Sequence, residues 1–321
     1  MDEEQAPSST PVDRPPSDWE RELLTGLATE ALRERRRARR WGIFFKFCLL
    51  AYGVGIAVLY LPRDLLGKSG GPHTAVVDVK GVIAADSAAS ARRVIAGLQR
   101  AFDDDNTKGV ILRINSPGGS PVQADLINQA ADRLRKEHPD TPLYAVITDV
   151  GASGAYYVAV SADRIYANKG SIVGSIGVLM NGFGFVDVMR KFGVERRLLT
   201  AGEHKGILDP FSPAKAEDIA YMKGLLERIH KQFIAAVQRG RGSRLSSAPN
   251  LFSGLFWTGE EGVRLGLVDA LGSVSSVARE VVGAKKIVDY TVKPGLVERI
   301  SRRLGSALSG AVVDGLRGEM L

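Results

Sequence analysis

Cysteine is nearly absent: Cys48 stands alone in 321 residues. That excludes a disulfide framework and zinc sites built on several thiolates. Histidine is sparse too. His73, His138, His204 and His230 lie far apart with no H-E-x-x-H pair, which argues against a zinc hydrolase, and no metal or cofactor is expected. The G-x-S-x-G signature is missing, because Ala155 stands where its second glycine would be, so an α/β-hydrolase triad is disfavoured. No long internal repeat occurs, which excludes a tandem duplication of the fold within this chain.

What is present is a chain with 45% apolar and 25% charged residues, the balance of a folded core, and a net charge of +7. The charge is unevenly placed. Residues 33–40 (RERRRARR) hold six arginines and one glutamate. Such a run could bind nucleic acid, but its neighbour points elsewhere. Residues 41–61 (WGIFFKFCLLAYGVGIAVLYL) carry one charge, Lys46, near the arginine-rich end. As a helix they would extend about 31 Å, enough to cross a bilayer core. A cleavable leader would have a shorter apolar stretch, and no small-x-small site follows the run before Pro62. The run therefore reads as a signal anchor, with the arginines keeping the N-terminus cytoplasmic and sending the rest across the membrane. Cys48 falls inside the span, so the domain beyond it needs no thiol chemistry.

The expected organisation is a cytoplasmic tail with its basic run (1–40), an anchor (41–61), a linker (62–73), a catalytic domain (74–292) and an amphipathic tail (293–321). Residues 1–18 are rich in proline, serine and acids and should be disordered, with a helix over 19–40. The basic segment 298–316 suits a partner groove or an anionic surface, or is simply a solvated terminal helix.

Within the catalytic domain, strand patterns at 75–79, 109–114 and 143–148 alternate with helical ones at 87–102 and 121–138. That alternation predicts an α/β domain with parallel strands and right-handed crossovers. Short strands are expected at 164–167, 172–180 and 194–200. A long helix should open at Ser212-Pro213 and end near Gly240, with a short one over 258–265 and a last strand over 286–292.

The strand at 143–148 runs into Gly151-Ala152-Ser153-Gly154 and then an apolar helical segment. Strand, tight turn, serine and helix start together lift a hydroxyl out of a sheet and aim backbone N–H groups at it. Ser153 is thus a candidate nucleophile, although the same four residues also read as a close-packing turn. Pro117-Gly118-Gly119 ends the preceding strand at the same sheet edge, where ligands of parallel sheets bind. N–H groups of Gly118 or Gly119 with that of Gly154 could cradle an oxyanion. For a base, His204 and Lys205 stand side by side in Thr200-Ala-Gly-Glu-His-Lys-Gly206. A histidine would need a carboxylate to orient its ring, and only Glu203 is nearby. A lysine needs burial to lower its usual pKa of about 10.4.

N-S-P-G-G, G-A-S-G-A-Y-Y-V-A, S-I-V-G-S-I-G-V, T-A-G-E-H-K and G-L-V-D-A-L-G occur in that order over residues 74–290. Together they resemble the signal peptide peptidase A family of membrane-bound serine proteases. The resemblance implies a ClpP/crotonase-like fold, a repeated ββα/βαβ core with a parallel sheet, here behind one transmembrane helix. It implies a Ser–Lys dyad with Ser153 as nucleophile and Lys205 as general base, and Ser175 helping to hold the lysine. It also implies signal peptides or other membrane-proximal peptides as substrates, no nucleic-acid partner, and homo-oligomeric rings with active sites at subunit contacts. Many relatives have glycine where Ala155 stands and aspartate where Gly206 stands. Two other functions fit the same fold: a crotonase-type acyl-CoA enzyme, and an inactive membrane scaffold. The glycine- and alanine-rich surroundings of Ser153 suggest a shallow groove for extended peptides, with small or aliphatic residues at the cleaved bond.

Overall fold

The computed structural model describes residues 18–60 and 71–293. The chain divides into two compact units, Met1–Lys68 and Ser69–Leu321. The described part of the first is one helix, α1 (Asp18–Tyr60), which carries the basic run and most of the apolar run. Among the described residues no helix is long and apolar enough to cross a membrane. Position 61 and the side chains of 57–60 lie outside the described residues, and so do the tail 1–17, positions 61–70 of the linker and the segment 294–321.

The second unit is an α/β domain. Strands β1 (His73–Lys80), β2 (Thr107–Ser116), β3 (Leu143–Ala152), β4 (Arg164–Ala167), β5 (Ile172–Gly174), β6 (Phe256–Thr258), β7 (Ala270–Leu271) and β8 (Ile287–Asp289) form a single eight-stranded sheet. Its main path runs β6-β5-β3-β2-β1-β8, while β4 branches from β3 and carries β7. All described pairings are parallel except that of β5 with β6. A mixed α/β fold with a mostly parallel sheet is what the alternating patterns predicted.

Strands buried on both faces read as near-continuous apolar runs, and Val110-Ile111-Leu112 is one of them. Successive side chains go to opposite sides. Val77, Leu112 and Ala145 face a core built with helices α2 (Ala91–Phe102), α3 (Pro121–Glu137), α4 (Gly154–Ala159) and α6 (Ala216–Arg241); α5 (Val186–Lys191) has no buried residue. Val76, Ile111, Val146 and Tyr166 face the other way, against Val277 and Ala278 in the helical segment that follows Ser273. The start of α3 is set locally. Ser120 is the N-cap and accepts from the Gln123 N–H, and Pro121 takes the first turn, where its missing N–H costs nothing.

Three expected elements come out differently. The long helix α6 begins at Ala216, not at Ser212-Pro213, because the Ser212 hydroxyl turns back to Asp209 at 2.6 Å and closes a turn before the helix. Residues 194–200 form no strand: they are exposed, and no described strand pairs with them. The strand expected over 172–180 ends at Gly174, where a left-handed glycine and the left-handed Ser175 turn the chain. The short helix α7 (Gly259–Arg264) does form as expected, opened by a reciprocal cap between Thr258 and Glu261.

Candidate active site

Strand β3 delivers Ser153 to the C-terminal edge of the sheet, half-exposed, as the N-cap of α4. Its backbone lies at φ 54°, ψ −127°, a conformation that costs a non-glycine residue roughly 1–3 kcal/mol and needs support from its surroundings. The support is visible. The Ser153 N–H donates to Gly174 O at 2.9 Å, and its carbonyl accepts the N–H groups of Tyr156 and Tyr157. Helix α4 is then bolted down by its two tyrosines. Tyr156 donates its hydroxyl to Leu267 O at 2.8 Å, and Tyr157 donates to Asp125 at 2.8 Å. Burial pushes both phenols up, the second to about 12 with the help of its bond to Asp125, so both hydroxyls remain donors. Read as sequence, Tyr156 and Tyr157 were only part of an apolar run; that each needs a polar partner once buried was the available signal.

The Pro117–Gly119 loop packs directly on this turn. Gly118 (φ 99°) and Gly119 (φ 147°) both adopt conformations that side chains disfavour. Ile83 clasps the loop, donating its N–H to Gly118 O and accepting from Ser120 N, both at 2.8 Å. A Cβ on Gly118 would stand 2.7 Å from Gly154 N and 2.8 Å from the Ser153 Cβ, and one on Gly154 would stand 3.3 Å from Gly119 N. The three expected oxyanion donors are therefore together, but they are not equivalent. The Gly118 N–H is already given to Ser116 Oγ at 3.1 Å. The N–H groups of Gly119 and Gly154 have no hydrogen-bond partner among the described residues. A close pair of open donors beside a hydroxyl can stabilise a tetrahedral oxyanion.

Ser175 is also beside Ser153. Parallel pairing of Ala152 with Gly174 places the two serines at matching positions on adjacent strand ends, and Ser175 is fixed by its N–H bond to Leu255 O at 2.7 Å. Lys205 is not joined to them. It is exposed, its backbone N–H closes a turn on Gly202 O, and its ammonium has no hydrogen-bond or ion-pair partner among the described residues. The neighbouring His204 has a partner that sequence reasoning missed: its Nδ1 lies 3.4 Å from an oxygen of Asp218, a buried residue in the first turn of α6. Asp218 is fourteen positions away and reads in sequence as an ordinary first-turn acid. Among the described residues no cluster of three or more His, Cys, Asp or Glu side chains is placed to hold a metal ion.

Around Lys205, the segment 178–212 is largely exposed despite its apolar content. Phe183 and Phe192 are each about four-fifths exposed, at 82% and 80%, and Leu199 is 96% exposed.

Comparison with known proteins bears on the family. The family model of peptidase family S49 matches residues 135–287. The Na(+)/H(+) antiporter NhaA of Brucella abortus is 45% identical over 217 residues, which are 68% of this chain and 28% of that protein. Protease 4 of Haemophilus influenzae is 31% identical over 230 residues, 68% of this chain and 37% of that one. The chloroplastic serine protease SPPA of Arabidopsis thaliana is 29% identical over 227 residues, 70% of this chain and 33% of that one. The chain thus spans well under half the length of each of these relatives. Residues 135–287 are thus similar to peptidase family S49, and the family match together with the protease relatives supports the signal peptide peptidase A family for this chain.

Proposed function

We propose that the protein is a membrane-anchored serine endopeptidase that cleaves signal peptides or other peptides close to the bilayer, outside the cytoplasm. The observation that carries this reading is the juxtaposition of Ser153, held at positive φ on a helix N-terminus, with the open N–H groups of Gly119 and Gly154.

In this mechanism the Ser153 hydroxyl oxygen attacks the carbonyl carbon of the peptide bond, and its proton passes to the neutral amine of Lys205. The carbonyl oxygen becomes an oxyanion between the Gly119 and Gly154 N–H groups. Collapse of the intermediate breaks the C–N bond, and the lysine ammonium returns the proton to the leaving amine. Water then hydrolyses the acyl ester by the same route in reverse. Ser175, next to Ser153, is the hydroxyl that holds the amine in place.

Exposure of Lys205 bears on assembly. It sits on a segment whose apolar side chains are left largely uncovered by the described residues of one chain. We propose a homo-oligomer in which neighbouring copies cover segment 178–212 and bring Lys205 to a serine. An exposed apolar surface of this extent fits a subunit contact better than solvent. The apolar run at 41–61 and the arginines before it support a cytoplasmic N-terminus.

The test is turnover of a peptide mixture by the purified full-length protein in detergent, compared with Ser153→Ala. New peptide termini should appear with the first and not with the second. Equal behaviour of the two would reject the serine peptidase reading, and turnover of acyl-CoA without peptide cleavage would favour the crotonase alternative. For topology, a reporter active only in the cytoplasm, fused after residue 292, should stay silent.

A further inference from the structure

The ladder between β2 and β3 is interrupted just before the nucleophile. Ile114 pairs with Ile147, and the next pair is Ser116 with Gly151. One residue on β2, Asn115, therefore faces three on β3, Thr148, Asp149 and Val150. This is a bulge with two extra residues. It falls where β3 changes partner: residues 144–147 pair with β4, and residues 150–152 pair with β5. Bulges next to active sites re-aim the chain that follows them. Here the re-aimed chain carries Ser153 to Gly174 O on one side and to the Gly118–Gly119 loop on the other.

The freed backbone groups are looked after by side chains. The buried Ser171 hydroxyl reaches the carbonyls of both Ile147 and Thr148, and Thr148 donates to Ile114 O at 3.2 Å. Folding back of the strand is tight enough that a Cβ on Gly151 would stand 2.7 Å from the Ile147 side chain. At the apex one contact ties the bulge to β2 through two side chains: Asn115 Nδ2 donates to the Asp149 carboxylate at 2.5 Å. Neither residue belongs to the core, since Asn115 is half-buried and Asp149 exposed. A carboxylate held there by a single amide does nothing for apolar packing. What it does is tie the outermost step of β3 back to β2.

We propose that Asn115 and Asp149 are a positioning pair that sets the register of the nucleophile turn through this bulge. The inference rests on the serine peptidase reading for its kinetic consequence, but its structural consequence stands without it. Two readouts therefore go together: peptide cleavage, and amide hydrogen exchange at Ser153, whose N–H is bonded to Gly174 O.

The experiment is a double-mutant cycle in the full-length protein, with Asn115→Ala, Asp149→Ala, both together, and the exchange Asn115→Asp with Asp149→Asn. A hydrogen bond to a charged group is strong enough for an effect of about tenfold. Each single alanine variant should speed exchange at Ser153 by about tenfold and lower kcat by a similar factor, with KM within about twofold. The double-alanine variant should be no worse than the worse single, because the two act as one unit. The exchanged pair restores the amide–carboxylate bond with its polarity reversed and should recover both readouts to within about threefold. Single variants with wild-type exchange and kcat would overturn the proposal. So would losses that multiply in the double-alanine variant, or a folded exchange variant no better than the singles. If Ser153 exchange responds as expected while the wild type and Ser153→Ala are equally inert on peptides, the positioning role stands and the peptidase reading falls.

Discussion

Gly118→Ala tests the geometry of the proposed oxyanion site with the smallest possible change. The new methyl group adds no charge and removes no donor, since the Gly118 N–H already belongs to Ser116 Oγ. Two penalties follow. At φ 99° an L-residue is strained by roughly 1–3 kcal/mol. The Cβ would also lie 2.7 Å from Gly154 N, 2.8 Å from Ala152 O and 2.8 Å from the Ser153 Cβ. Two of these are backbone atoms and the third is the first side-chain atom of the nucleophile, so no rotamer change relieves the clash. Ordinary contact requires the loop and the serine turn to part by about 0.7 Å. Gly119 travels with the loop and Gly154 with the turn, so the two open N–H groups separate by a comparable distance. Misplacement on the order of 1 Å costs about 10²-fold in rate. Turnover should therefore drop roughly 100-fold, and stability by about 1–3 kcal/mol. The assay is peptide cleavage by folded protein alongside the rate at which a fluorophosphonate labels Ser153, with denaturant unfolding to show that the fold persists. A folded Gly118→Ala protein with near-normal cleavage would show that the Gly119 and Gly154 donors do not act as a pair.

Three other outcomes are expected. Lys205→Ala should lower turnover nearly as far as Ser153→Ala, by roughly 10²–10⁴-fold or more, while His204→Ala keeps most activity; the opposite ranking would make His204 the base, with Asp218 orienting its ring. Phe183→Ser with Leu199→Ser, at 82% and 96% exposed positions, should leave the fold intact and shift assembly toward monomers in analytical ultracentrifugation, with activity falling in parallel; unchanged assembly would remove segment 178–212 from the contact. Asp269→Ala leaves the buried Arg241 guanidinium unpaired and should cost about 3–5 kcal/mol in chemical denaturation. Burial alone would raise the Asp269 carboxyl, but its bonds to Arg241 and the Ile165 N–H hold it below the usual range. Its contribution is therefore complete above the unfolded value near pH 4 and is lost as pH falls toward the lower folded value, so the acid limb of the stability curve should flatten in Asp269→Asn.

Much of this arrangement could be read from residues 73–160, because there each local pattern agrees with its tertiary role. The apolar run Val110–Leu112 reads as a buried strand and is one, and Ser120-Pro121 reads as a helix start and is one. The serine turn was legible because glycine spacing and a following helical segment have a single common geometry. The bulge was not. Asp149-Val150-Gly151 carries no sign that an extended strand will continue with two extra residues, since that depends on Asn115 and Ser171 from other segments. Residues 194–200 show the opposite failure: Val194, Leu198 and Leu199 have the composition of a strand, but composition does not say which chain will cover it. Ser212-Pro213 is a good helix opening by local rules, and Asp209 won the serine by being three residues behind it. The pairing of His204 with Asp218 belongs to the same class, a contact made only after α6 is in place.

The position of β8 has a consequence for how the chain is made. Its three residues pair with Thr74, Ala75 and Val76 of β1, more than two hundred positions earlier. Until they are synthesised, one side of β1 is an open strand edge. Two polar groups that end up buried there also wait. The Thr74 hydroxyl needs Ala284 O, and the His73 ring needs the Tyr290 hydroxyl, against which it stacks. Contacts this distant in sequence are slow to form, because a long loop must close before they stabilise anything. The first strand to emerge is thus the last to be finished. Through most of synthesis it offers an unpaired edge to other chains, and a product cut short before residue 284 would keep that edge permanently.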